Sequence, residues 1–241
     1  MATISDMTVQ SGFVFEAKVE QLEASTARGF PATAETVVVR VTTILKSPPA
    51  LANYVGQAVT VQLKPPVNLA AGDEAVFFTH GVHYGEGLVL GEVGRAPAGD
   101  STMEAQVQSA MEAGRRDELT QRLAQAELVI SGVASEPTSY TAGGPRPISE
   151  HDPDWGTATI SVETVEKGNH NQPSQDVLFA RSMDIAWYGA PKVKAGDRGV
   201  WLLHRRDTRG KPVPDLAIVH PLDFQPAPEL ENVRALLRNS P

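Results

Sequence analysis

Over roughly the first hundred residues, apolar and polar side chains alternate with period two, interrupted by short clusters of Gly, Pro, Asn and Asp. In GFVFEAKVE, Phe13, Phe15, Ala17 and Val19 fall on one side, with Glu16, Lys18 and Glu20 on the other. In ETVVVRVTTILK, Val37, Val39, Val41 and Leu45 oppose Arg40 and Thr42, and in QAVTVQLK, Val59, Val61 and Leu63 oppose Thr60, Gln62 and Lys64. Successive side chains of a strand point to opposite faces, so each stretch predicts a strand buried on one side. EAVFFTH and GLVLGEV complete five strands, and the clusters between them supply turns.

The second half of the chain can be laid over the first. VVVRVTTILK, ending at Lys46, meets ATISVETVEK, ending at Lys167, at an offset of 121. AAGDEAVFF meets KAGDRGVWLL at an offset of 124, pairing Gly72 and Asp73 with Gly196 and Asp197, and Phe77 with Trp201. ELVISGVASE takes the place of GFVFEAKVEQ. Each Gly-Asp reads as a turn, since glycine tolerates positive φ and aspartate folds back onto nearby amides.

Between the copies, DSTMEAQVQSAMEAGRRDELTQRLAQAE is rich in helix formers. Ser101 followed by Glu104 suggests a capping box, and Gly114 is expected to split the run into two helices. APELENVRALLRN predicts a closing helix with Leu230, Val233 and Leu237 on one face. The expected fold class is mainly β: two duplicated five-stranded antiparallel barrels, each followed by a helical segment. The expected boundaries are 1–100 for the first barrel and 101–126 for a helical connector, then 127–225 for the second barrel and 226–241 for the C-terminal helix.

Five short strands per copy resemble the oligonucleotide/oligosaccharide-binding barrel. The run VTTILKSP, followed by VTVQL and AAGDEAVFF, is similar to bacterial proteins with barrels of the netrin and metalloproteinase-inhibitor type. The resemblance covers nearly the whole chain, once per copy, and implies a fold alone. PPVNLAAGD is too short and proline-rich for the helix that many such barrels carry between their third and fourth strands. The animal inhibitors depend on cysteines, and this chain has none. On such scaffolds function is carried by loops.

Composition narrows the function classes. Of 241 residues, 41% are hydrophobic and 21% charged, an ordinary globular mixture long enough for two cores. The formal net charge of −8 argues against duplex nucleic acid, which requires a concentrated positive field. Without cysteine there is no disulfide framework, thiolate metal site or cysteine nucleophile. The N-terminal residues show no leader pattern and no segment has the length of a membrane span, so the expected location is cytoplasmic.

Catalytic motifs are weak. His80, His83 and Glu86 in THGVHYGEG resemble a zinc ligand set, but their spacing is that of a hairpin loop. Asp152, Asp154 and Glu163 fall at the first, third and twelfth places of a calcium loop, whose fifth and sixth places are spoiled by Gly156 and Thr157. YGEGLVLGEVG lacks the spacing of a phosphate loop, and no Gly-x-Ser-x-Gly elbow occurs. No cofactor, metal or catalytic residue is therefore expected, and the chain is read as a non-enzyme.

The second copy has long loops, EPTSYTAGGPRPISEHDPDWG and RSMDIAWYGAPKVKAG, that carry Tyr140, Trp155, Trp187 and Tyr188. These four are the candidate partner-binding residues; packing as a cap over the barrel mouth is the equal alternative. The leading expectation is a protein-interaction or structural module with a protein partner or a homo-oligomer. The alternative is a barrel that binds oligosaccharide or single-stranded nucleic acid, with an enzyme ranked last.

Overall fold

A computed structural model describes residues 2–84, 87–139, 154–184, 187–206 and 214–239. The chain divides into two compact units, Met1–Arg115 and Arg116–Pro241. In the first, helix α1 (Ile4–Gln10) precedes strands β1 (Phe13–Leu22), β2 (Thr36–Lys46), β3 (Ala58–Gln62), β4 (Glu74–Tyr84) and β5 (Gly87–Pro97). Helix α2 (Met103–Gln125) contributes residues to both units. The second unit continues with β6 (Leu128–Ala134), the short β7 (Thr138–Ser139), β8 (Trp155–Lys167), β9 (Ser174–Ala180), β10 (Arg198–Arg205), β11 (Leu216–Ile218), β12 (Phe224–Pro226) and helix α3 (Leu230–Asn239).

Each unit is a closed five-stranded barrel, consistent with an oligonucleotide/oligosaccharide-binding-like fold. The first runs β1-β2-β3-β5-β4 and back to β1; the second runs β6-β8-β9-β11-β10 and back to β6. The barrels are mixed, not purely antiparallel as expected, because β3 pairs parallel with β5, and β9 with β11. Strands three and five of an up-and-down chain run the same way. Placing the fourth against the first makes them neighbours, and alternation carries no information about that choice.

The two registers repeat residue for residue. Phe15 faces Ile44 and Phe77, as Ile130 faces Val165 and Trp201. His80 faces Gly91, as His204 faces Ala217. The offset is 115 from β1 to β6, 121 from β2 to β8, 116 from β3 to β9, 124 from β4 to β10 and 126 from β5 to β11. Two bulges recur as well: β2 carries extra residues at Thr42 and Leu45, and β8 at Glu163 and Glu166, whereas those at Glu20 and Val93 of the first barrel have no equivalent in the second barrel's pairings. The recurring bulges correct one expectation. An inserted residue flips the alternation, so Ile44 joins the barrel core and Leu45 turns outward.

Two apolar clusters stabilise each unit. Inside the first barrel lie Phe13, Phe15, Val39, Val61, Phe77 and Leu90; inside the second, Ile130, Ile160, Val177, Phe179, Trp201 and Ile218. The outer faces of β1 and β4 bury Val14, Val76 and Phe78 under Met7 of α1 and Met103 and Val107 of α2. The equivalent Val129, Val200 and Leu202 lie under Leu119 and Leu123 of α2 and Val233 and Leu236 of α3. Burial on both faces is why AVFF and GVWLL are continuous apolar runs, without alternation.

The helices differ from expectation in one unanticipated element and in the course of α2. The chain from Ile4 is helical, started by a capping box between Thr3 and Asp6. Helix α2 runs through Gly114 without a break, and Asp100, not Ser101, accepts hydrogen bonds at its start from the Thr102 amide and hydroxyl. A glycine costs a helix only about 1 kcal/mol, and the strong helix formers on either side outweigh it. Among the described residues, no helix is long and apolar enough to cross a membrane.

Candidate functional site

The Gly-Asp turns are structural. Gly72 and Gly196 adopt φ of +97° and +84°. The Asp73 carboxylate accepts from the Ala70 amide and that of Asp197 from the Lys194 amide, both at 2.7 Å. The glycine amides donate to Val19 and Ala134. Both carboxylates are thus used in closing the entry to the fourth strand.

The metal-like sets fare differently. His80 packs its ring across Gly91, where a Cβ would lie 2.6 Å from Nε2. The His83 side chain and Glu86 lie outside the described residues, as does Asp152. Asp154 and Glu163 stand along one extended stretch, separated by on the order of 30 Å of chain; each has an arginine beside it, Arg181 at 3.7 Å and Arg198 at 3.0 Å. A loop closing around one ion would need them together. Among the described residues, no group of three or more His, Cys, Asp or Glu side chains is placed to hold a metal.

The most buried charge in the second unit is Asp223, in the turn between β11 and β12. It accepts from Arg122 Nε and Nη2 and from the amides of Val219 and His220, and His204 Nε2 lies 3.1 Å away. Burial pushes its pKa up, but the His204 ring, the two amides and Arg122 outweigh that and hold it below the ordinary 3.8. Every oxygen has a partner, so the cluster ties α2 to the turn as a strut. Sequence reasoning passed over Asp223 and Arg122 because 101 residues separate them.

The four candidate aromatics are distributed as follows. Tyr140 lies outside the described residues. Trp155 opens β8 and Trp187 sits in the β9–β10 connection; both are half-buried, with rings 5.8 Å apart and inclined by 64°. Alternation places Trp155 on the outer face of the barrel, because Ala158 and Ile160 point into the core. Arg206, just beyond β10, stacks over the Trp155 ring at 4.0 Å. Tyr188 is 59% exposed, and Met183 on the same connection is 63% exposed.

Lys192, which sequence reasoning missed, holds this connection together. Its Nζ donates to the carbonyls of Ala180 and Ser182 at 2.9 Å and of Trp187 at 2.8 Å. Burial lowers its pKa from the ordinary lysine value, with Asp184 pulling the other way. A serine closes the far side: Ser182 Oγ accepts from the Asp154 amide at 2.6 Å, just ahead of Trp155.

The first barrel offers no counterpart. From β3 to β4 it needs only residues 63–73, with Val67 and Leu69 packed on the core. The offset rises from 116 before this connection to 124 after it, an insertion of eight residues in the second barrel. Leu69 then meets Val193, which packs the second core, so the extra residues precede it and carry Met183, Trp187 and Tyr188. The outer face also differs. In the first barrel Thr60 on β3 is covered by its own chain, accepting from the Thr26 amide at 2.7 Å. Its equivalent, Asp176, is exposed and accepts from Thr159 Oγ1 at 2.6 Å.

No family model matches the chain, and no curated protein does.

Proposed function

We infer that the chain is a non-enzymatic recognition module, a duplicated oligonucleotide/oligosaccharide-binding-like barrel whose second copy binds a protein partner. The observation that carries this reading is the eight-residue insertion. A barrel of the same strand order closes without it, as the first copy does. Yet the insertion is held by three lysine hydrogen bonds and an indole pair while leaving Met183 and Tyr188 in solvent. Aromatic residues and Met are enriched at protein interfaces, and residues already held by hydrogen bonds lose less entropy on binding. The matching registers and bulges support duplication, and the covered outer face of the first barrel supports a division of roles, with recognition in the second.

Comparative capture tests the reading. Full-length protein is cross-linked in lysate of its source, beside Met183→Ala/Tyr188→Ala and a control, Val55→Ala, at another exposed apolar residue. A partner retained by wild type and control should bind the double variant at least roughly 30-fold more weakly, the effect of losing a hot spot of about 2 kcal/mol. Equal retention by all three proteins removes the proposal. Light scattering distinguishes a second copy of the chain from a different partner.

A second reading, an oligosaccharide or single-stranded nucleic acid ligand, draws on Trp155 and its stacked arginine on the outer face of β8. It expects indole quenching on titration, strongly salt-dependent for nucleic acid.

A further inference from the structure

We propose that Lys192 is a latch: its ammonium group holds Ser182 and Trp187 to the end of β9, in the arrangement that presents Met183 and Tyr188, and removing it releases these residues while the barrel stays closed. The role of the segment in binding rests on the reading above; the latch itself stands on geometry.

An ammonium has three N–H bonds, and Lys192 directs them to three carbonyls: Ala180 at the end of β9, and Ser182 and Trp187 near the two ends of the insertion. These lie five to twelve residues back along the chain, so a single charged atom gathers both limbs of the connection around itself. A helix at this place would satisfy such carbonyls with its own amides; here a side chain does so. The Ala190 amide also donates to Trp187, and Trp187 lies against Trp155, so the indole pair reports whether the latch is closed. The closing bonds of the barrel are elsewhere, between β10 and β6 and between β9 and β11. In the first barrel the connection closes with no lysine at the equivalent place, since Val193 meets Leu69 and Asn68 precedes it.

The test uses the full chain with Lys192→Met, which keeps the apolar stem and removes the donors, and Lys192→Arg, which keeps the charge but cannot converge three N–H groups from one atom. Two coupled indoles give a circular-dichroism couplet, assigned by its loss in Trp155→Phe. Lys192→Met should abolish the couplet and make chymotryptic cleavage after Trp187 or Tyr188 at least ~10-fold faster, while the far-ultraviolet strand signal and the cooperative urea transition remain; Lys192→Arg should weaken the couplet. Retention of couplet and protection in Lys192→Met overturns the proposal. So does cooperative loss of the whole barrel in that variant when a chain lacking residues 181–188 still folds, since Lys192 would then be a strut of the barrel. If the segment opens but partner capture is unchanged, the latch stands and the binding role of the segment falls.

Discussion

Substitutions at equivalent positions show how two barrels with one register acquire different interiors. Trp201 stands where the first barrel has Phe77, and its larger ring is accompanied by Gly132 in place of Ala17 and Gly199 in place of Ala75. The indole Nε1 donates to the Gly132 carbonyl at 3.1 Å. Restoring the first barrel's residue with Gly132→Ala should destabilise the second unit by about 1–3 kcal/mol in urea unfolding, because the added methyl meets the Ser161 carbonyl and the Ile160 side chain. Asp223→Ala should cost about 3–5 kcal/mol, the loss expected when Arg122 keeps its charge without its partner. The sign of the pH effect follows from the direction of the shift. A carboxyl held below its ordinary 3.8 contributes stability that is fully present above that value and fades as pH falls through its depressed folded-state pKa. Acid unfolding of the wild type should therefore show a component absent from Asp223→Asn, measured by fluorescence against pH.

At the scale of elements, the same bulge serves two kinds of helix attachment. Leu45 packs beneath α1 and α2, whereas its counterpart Glu166 accepts from Arg234 of α3 at 2.8 and 2.9 Å. Lys46 and Lys167 end the equivalent strands and donate to carbonyls at the C-termini of α1 and α2, where a cation opposes the helix dipole. Excision of residues 181–188 should leave the second barrel folded, since the first closes without that length; the thermal transition should persist as the indole couplet disappears. The five strands of the first barrel, three of the second and both Gly-Asp turns were legible in sequence because apolar patterning and turn chemistry are local; the short β7, β9, β11 and β12 were not singled out. Helix α1 was not, since seven residues provide too little periodicity, and only the Thr3 and Asp6 spacing announces it. The candidate surface was half legible. Trp155 and Trp187 stood out as aromatics in long loops, but Lys192 resembled any surface lysine until three carbonyls were seen to converge on it.

At the scale of the molecule, each unit contains both of its own apolar clusters: the barrel interior and the outer face under helices. Residues Met1–Arg115 expressed alone should thus retain a cooperative urea transition and slow amide exchange in β1 and β4. Loss of both would show that the unit depends on the rest of the chain.

The sequence alone determined the mainly β class and the lack of any cysteine chemistry, because each is written in local pattern or composition. The tertiary structure decided which strands close the barrels and that two run parallel. It also decided which bulge turns Leu45 outward, and where Arg122 finds Asp223. Those outcomes depend on groups far apart along the chain meeting in space, and on the desolvation and hydrogen bonding that only their meeting creates.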